Sequence, residues 1–96
     1  MKKIVVKITK EKNWAGNEYL IYSTEEHGKI AELDYPNNYT KQYRVWALNV
    51  ESNDGSIPLS SFSSGIIGAE TVAKGYLYDR GYDAVEFDYP KTIKTK

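Results

Sequence analysis

Residues 65–88 read GIIGAETVAKGYLYDRGYDAVEFD, and two periodicities meet inside that stretch. Ile66, Ala69, Ala73, Tyr76, Leu77 and Arg80 recur at helical spacing, with Ile67 and Val72 flanking the stripe, so a helix is expected from about Gly65 to Arg80. Gly75 inside it costs roughly 1 kcal/mol against Ala, which leaves packing rather than propensity to hold the helix. Upstream, Ser60, Ser61, Ser63 and Ser64 supply N-cap candidates. Gly81 reads as a left-handed stop, with Tyr82 placed for the hydrophobic contact that follows such a stop. The period then drops to two. Val85 and Phe87 face inward and Glu86 and Asp88 outward, a strand from Ala84 to Asp88 that Pro90 ends. Residues 91–96 read as a frayed tail.

Every other strand precedes the helix. From Lys3 to Thr9 the chain sets Ile4, Val6 and Ile8 on one side and Val5, Lys7 and Thr9 on the other. Glu11 to Glu18, with Trp14, Gly16 and Asn17, is a loop. Tyr19 to Thr24 and Lys29 to Asp34 are strands joined by Glu25-Glu26-His27-Gly28, a β-hairpin. Tyr35-Pro36-Asn37-Asn38 breaks the pattern, and Gln42 to Val50 alternates again as the longest expected strand. Asn53-Asp54-Gly55 is a turn, and Ile57-Pro58-Leu59 extends no further than a short edge segment. The order β-β-β-β-α-β defines an α+β fold: a mostly antiparallel four- to five-stranded sheet with one helix packed on one face, in a single small domain over residues 1–96.

Composition removes whole classes of function. A chain of 96 residues without Cys is no disulfide scaffold, zinc ribbon or thiol enzyme, and its single His27 excludes any two-imidazole site. No apolar run is long enough for a transmembrane helix or a signal-peptide core, so a cytoplasmic location and no membrane partner are expected. The formal net charge of +0 hides a pattern. Five lysines against Glu11 make residues 1–12 basic, three lysines make residues 91–96 basic, and 12 acids against five bases make the body between them acidic. The abundance of Lys over Arg, with Asn, Ile and Tyr, suits an AT-rich bacterial or phage genome.

Several residue groups could carry chemistry. Glu32 and Asp34 share one face of their strand, as do Glu86 and Asp88, and four such carboxylates on neighbouring strands could hold Mg²⁺ or Ca²⁺. The plainer reading is the solvated face of an antiparallel sheet, so neither a metal nor a cofactor is expected. His27 could act as a general base oriented by Glu25 or Glu26, but it sits in a turn, no nucleophile accompanies it, and no G-x-S-x-G elbow exists. Ser63-Ser64-Gly65-Ile66-Ile67-Gly68 precedes a helix, yet it lacks the Gly-Lys-Ser/Thr of a phosphate loop, and Glu70 would repel an anion there. Asn38-Tyr39-Thr40 matches a glycosylation sequon without an export route. The protein is expected not to be an enzyme.

The aromatics are more informative. Tyr35, Tyr39, Tyr43 and Trp46 crowd into 12 residues beside Pro36, Lys41 and Arg44. Trp46 and one or two of these tyrosines could simply complete the core. Tyr, Trp and Arg also anchor protein interfaces. A small non-enzymatic protein-interaction module is therefore expected, monomeric or homodimeric, docking through Tyr35, Tyr39, Lys41, Tyr43 and Arg44. An accessory protein of a phage or mobile element that modulates or inhibits a host protein would have this size and composition. The alternative is a nucleic-acid binder using Lys2, Lys3, Lys41, Arg44, Lys91 and Lys94. It ranks second because the acidic body repels a polyanion.

Overall fold

A computed structural model describes residues 1–36, 43–48, 56–61 and 65–91, with the backbone alone over 56–61. Its strands are β1 (Lys3–Lys12), β2 (Glu18–Thr24), β3 (Gly28–Asp34), β4 (Arg44–Leu48), β5 (Ser56–Ser61) and β6 (Ala84–Asp88), with helix α1 (Ile66–Tyr78) between the last two. They form one sheet in the order β5-β4-β3-β2-β1-β6. Chain neighbours β1 to β5 pair antiparallel. Helix α1 then carries the chain from one sheet edge to the other, and β6 comes in parallel to β1. The expected α+β architecture is thus observed, and Ser56–Ser61 makes a full edge strand where only a short segment was expected.

The alternation read from the sequence sets the layers. Ile4, Val6 and Ile8 of β1, Leu20 and Tyr22 of β2, Leu33 of β3 and Val45 of β4 are buried on one face, against Ala69, Ala73 and Leu77 of α1. Those three helix residues recur every four positions, and the two alanines let the helix axis approach the sheet closely. Between Tyr22 and Ser23 the β2–β3 register slips by one residue. The bulge turns two successive side chains, Ile30 and Ala31, into the core, both fully buried.

Three local expectations need correction. The helix N-cap is Gly65, at φ 57° and without a side-chain cap hydrogen bond, rather than one of the serines. That positive φ is what favours glycine here, while a Cβ would meet the Tyr43 ring at 3.4 Å, an ordinary contact. β4 spans five residues and β1, with ten, is the longest described strand. Residues 42, 49 and 50, expected to lengthen β4, lie outside the described residues. The third correction concerns His27, whose ring is not free in its turn. It stands edge-on to Tyr76 and Tyr82, with Nε2 3.0 Å from the Tyr82 hydroxyl.

The helix stop behaves as read. Gly81 has φ 90°, and its N–H donates to the Tyr78 carbonyl while that of Tyr82 donates to Leu77. These two bonds form a Schellman closure, and the Tyr82 ring packs against the core. Asp83 then ties the start of β6 to the start of β1. Its N–H donates to the Lys2 carbonyl at 2.7 Å, and its carboxylate accepts from the Lys2 N–H at 2.8 Å.

Candidate functional site: the end of the open sheet face

The face away from α1 is in register across four strands. Thr9, Ile21, Glu32 and Trp46 form one row of directly opposed residues, and Glu11, Tyr19, Asp34 and Arg44 form the next. Directly opposed residues share a face and touch. Ile21 is buried although it does not belong to the helix-side core, so its neighbours on this face cover it. Trp46 is half-buried here, and its indole Nε1–H donates to the Asp34 carboxylate at 2.9 Å. It is therefore a member of the open face and not of the core.

Glu32 and Asp34, two residues apart on β3, lie side by side. Burial first, then the hydrogen bond and the charge of Asp34, push the Glu32 carboxyl up to about 8. Both effects favour the protonated form of Glu32 over its carboxylate. Burial also pushes the Tyr19 and Tyr35 hydroxyls up, so both stay neutral donors. A cleft of about 270 Å³ opens at this end of the sheet, lined by Asn13, Asn17, Glu18, Tyr19, Glu32, Asp34 and Tyr35.

The β1–β2 loop bounds the cleft and is held by its own backbone. The Asn13 carboxamide oxygen accepts from the N–H groups of Ala15 and Asn17 at 2.9 and 3.0 Å. Main-chain bonds from Asn13 to Asn17 and from Gly16 to Asn13 close the turn, with Gly16 at φ 82°. On this fixed loop Trp14 is 98% exposed. Sequence reading passed over Trp14 as a loop residue. The signal that marks it is a large apolar side chain inside a Gly/Asn turn, where no core face exists to receive it.

The residues expected to dock a partner do not share one surface. Tyr35 and Tyr43 meet edge-to-face with ring centroids 5.5 Å apart, and both pack against the helix-side core. Arg44 is exposed on the opposite face, as the register partner of Asp34. Tyr39 and Lys41 lie outside the described residues. Of the described members of the set, Tyr35 alone lines the cleft.

The cations expected to hold nucleic acid are dispersed. Lys2 lies over the Tyr82 ring at 4.4 Å, and Lys3 pairs with Glu86 at 3.6 Å. Lys91 lies three residues past the end of β6 at Asp88, whereas Lys3 pairs with Ala84 at that strand's start. Arg44 stands three strands from β1, and Lys94 lies outside the described residues. The four-carboxylate metal site does not assemble, because β2 and β1 separate β3 from β6. Among the described residues no group of three His, Asp or Glu side chains could hold a metal ion. No described helix is long and apolar enough to cross a membrane.

Comparison with protein-family models, with curated proteins and with solved structures gives no match.

Proposed function

We propose that this protein is a non-enzymatic protein-interaction module that docks its partner through the loop carrying Trp14 and the adjoining end of the open sheet face. The observation that carries this reading is the 98% exposure of Trp14 on a loop held by its own hydrogen bonds. An aromatic side chain buries ~150–250 Å² on docking, worth ~4–6 kcal/mol in gross transfer energy at ~25 cal/mol per Å². A preformed loop spares most of the ordering cost that would otherwise offset that gain. The narrower reading, a phage or mobile-element accessory protein that inhibits a host protein in a bacterial cytoplasm, draws only on composition.

The test uses tagged wild-type protein and a Trp14→Ala variant expressed in a bacterial host, each purified with and without nuclease. A stoichiometric protein that survives nuclease and is lost with Trp14→Ala is the expected result. Retention of the same protein by the variant refutes the assigned surface. Material that disappears with nuclease refutes the reading in favour of the nucleic-acid alternative.

A further inference from the structure

The sheet has an opening in its interior. β6 pairs with β1 from Lys3 onward, but β2 pairs with β1 only from Lys7, opposite Ser23, to Lys12. Beyond Thr24 the hairpin turns away, and the His27 ring packs on Tyr76 of α1 and on Tyr82. We propose that the gap beside Lys3, Ile4 and Val5 accepts an extended segment of a partner protein as an added strand, antiparallel to β1, with an apolar residue opposite Val5 and an acidic residue opposite Lys3. β1 is 10 residues long, about 30 Å at roughly 3.3 Å per residue, and the gap lies at the opposite end from the Trp14 loop. The site therefore stands apart from that docking surface.

Three observations name the occupant. The first is backbone. The Lys2 carbonyl accepts the Ala84 N–H, which sets the phase of the parallel ladder. Even-numbered residues of β1 turn their N–H and C=O groups to β6, and odd-numbered residues turn theirs to the β2 side. The Ser23 hydroxyl, 3.4 Å from the Lys7 carbonyl, agrees with that phase. Lys7, Thr9 and Glu11 are paired on the β2 side; among the described residues no main-chain bond reaches Lys3 or Val5 there. Two donors and two acceptors thus stand at strand spacing, the pattern that the backbone of another extended segment matches.

The second is space. A groove of about 590 Å³ runs along this edge, with Val5 and Lys7 on one wall and Thr24, Glu25 and Glu26 on the other. At about 30 Å³ per water it has room for on the order of twenty waters, or for a few residues of extended chain. A second folded copy does not fit by its β1, because β6 flanks that strand and would meet the hairpin. The occupant is accordingly a single segment, a terminus or loop. The third is the exposed row. Val5 is 48% exposed, between Lys3 and Lys7 on the open face. Directly opposed residues touch, so a β-branched residue opposite Val5 covers it. A carboxylate opposite Lys3 meets an ammonium that Glu86 holds only at 3.6 Å, on an exposed pair. Glu25 and Glu26 on the hairpin wall disfavour a second acid further in.

The test is an NMR titration of the intact protein with acetyl-Thr-Val-Thr-Glu-Thr-amide, read at the backbone amides of Lys3 and Val5. One control peptide is N-methylated at Val and Glu, which keeps both side chains and removes the two N–H groups aimed at β1. The other carries Gln in place of Glu. Before any addition, the Val5 amide is expected to exchange with deuterium at least about tenfold faster than those of Ile4 and Val6, which face β6. The first peptide is expected to shift Lys3 and Val5 with Kd on the order of 1 mM and to slow their exchange. The N-methylated peptide should bind at least about tenfold more weakly and the Gln peptide about threefold more weakly. Trp14→Ala should leave all three affinities unchanged.

Slow exchange of Val5 in the free protein overturns the open edge. Equal binding of the N-methylated peptide overturns strand addition, and equal binding of the Gln peptide overturns the acidic partner. Shifts at the Trp14 indole that vanish in Trp14→Ala, without shifts at Lys3 and Val5, move the peptide to the other surface and overturn this site alone. Shifts at Lys3 and Val5 that depend on protein concentration without peptide overturn the inference in favour of a second copy.

Discussion

Removing the hydroxyl of Tyr89 should be costlier than its position just beyond the last strand suggests. The Tyr22 and Tyr89 hydroxyl oxygens are 2.9 Å apart, and the Tyr89 hydroxyl is 2.6 Å from a Glu70 carboxylate oxygen. An ionised carboxylate only accepts, so Tyr89 donates to Glu70, and its remaining role toward Tyr22 is as acceptor. Donation therefore runs from Tyr22 in β2, through Tyr89, to Glu70 in α1, joining strand, tail and helix. Burial pushes both phenols up, first among the causes in each case, which keeps both protons in place. Tyr22 is fully buried, whereas Tyr89 and Glu70 are partly open to water.

In Tyr89→Phe, water can reach the Glu70 carboxylate again, but the Tyr22 hydroxyl loses its partner inside the core. An orphaned buried donor costs ~1–3 kcal/mol, so a loss of ~2 kcal/mol is expected. For a domain of this size that lowers Tm by roughly 8–16 °C. Tyr22→Phe removes the donor together with its need for a partner and should cost only ~1 kcal/mol. The double variant should then fall short of the sum of the single effects by ~0.5–1.5 kcal/mol, read from urea unfolding of all four proteins. Strict additivity, or a Tyr89→Phe loss under ~0.5 kcal/mol, refutes the relay and leaves two rings that merely pack.

The same geometry dictates further outcomes. Trp14→Ala should leave unfolding free energy within ~0.5 kcal/mol of wild type, because the side chain is 98% exposed; a larger loss in thermal unfolding would make the indole structural. Gly65→Ala should cost ~1–3 kcal/mol, since φ 57° strains any side chain; a neutral result by urea unfolding would refute that account of the helix start. Glu32 binds its proton more tightly in the folded protein, where burial and Asp34 raise it to about 8 against only a partial opposing effect of Lys29. The stability this contributes is complete below its ordinary value and is lost as pH rises through about 8. Glu32→Gln, which cannot ionise, should therefore gain on wild type between pH 5 and pH 9, on the order of what one shifted carboxyl supplies; a wild type whose urea midpoint rises relative to the variant over that range refutes the raised Glu32 carboxyl.

The fold was legible wherever one physical rule controlled a segment. The alternation of Ile4, Val6 and Ile8 against Val5 and Lys7 could serve only a strand with one buried face, and that is how β1 lies. Gly81 followed by Tyr82 is a helix stop written in local backbone chemistry, and the structure closes it with the bonds the motif requires. Sequence reading failed where two rules competed. Trp46 is large and apolar enough for a core, but its strand phase places it with Arg44, and only the Asp34 acceptor makes that position tenable. Tyr35 and Tyr43 looked like a surface pair because they flank a Pro/Asn break. Their positions beyond β3 and before β4 turn them toward the helix instead. Trp14 carried no periodicity, and Glu32 with Asp34 could not be told from any solvated pair until β2 and β4 were placed on either side of them.

Under the proposed function, stability and recognition fall to different parts of the chain. The helix-side core draws on β1 to β4 and α1, so any partner acting there would have to displace buried apolar surface. The open face has no helix over it, yet it is not a uniformly polar surface either, since Ile21 is buried there and Trp46 half-buried. That partial burial, more than the hydrogen bond or charge of Asp34, is what raises the Glu32 carboxyl, because exclusion of water penalises the charged form first.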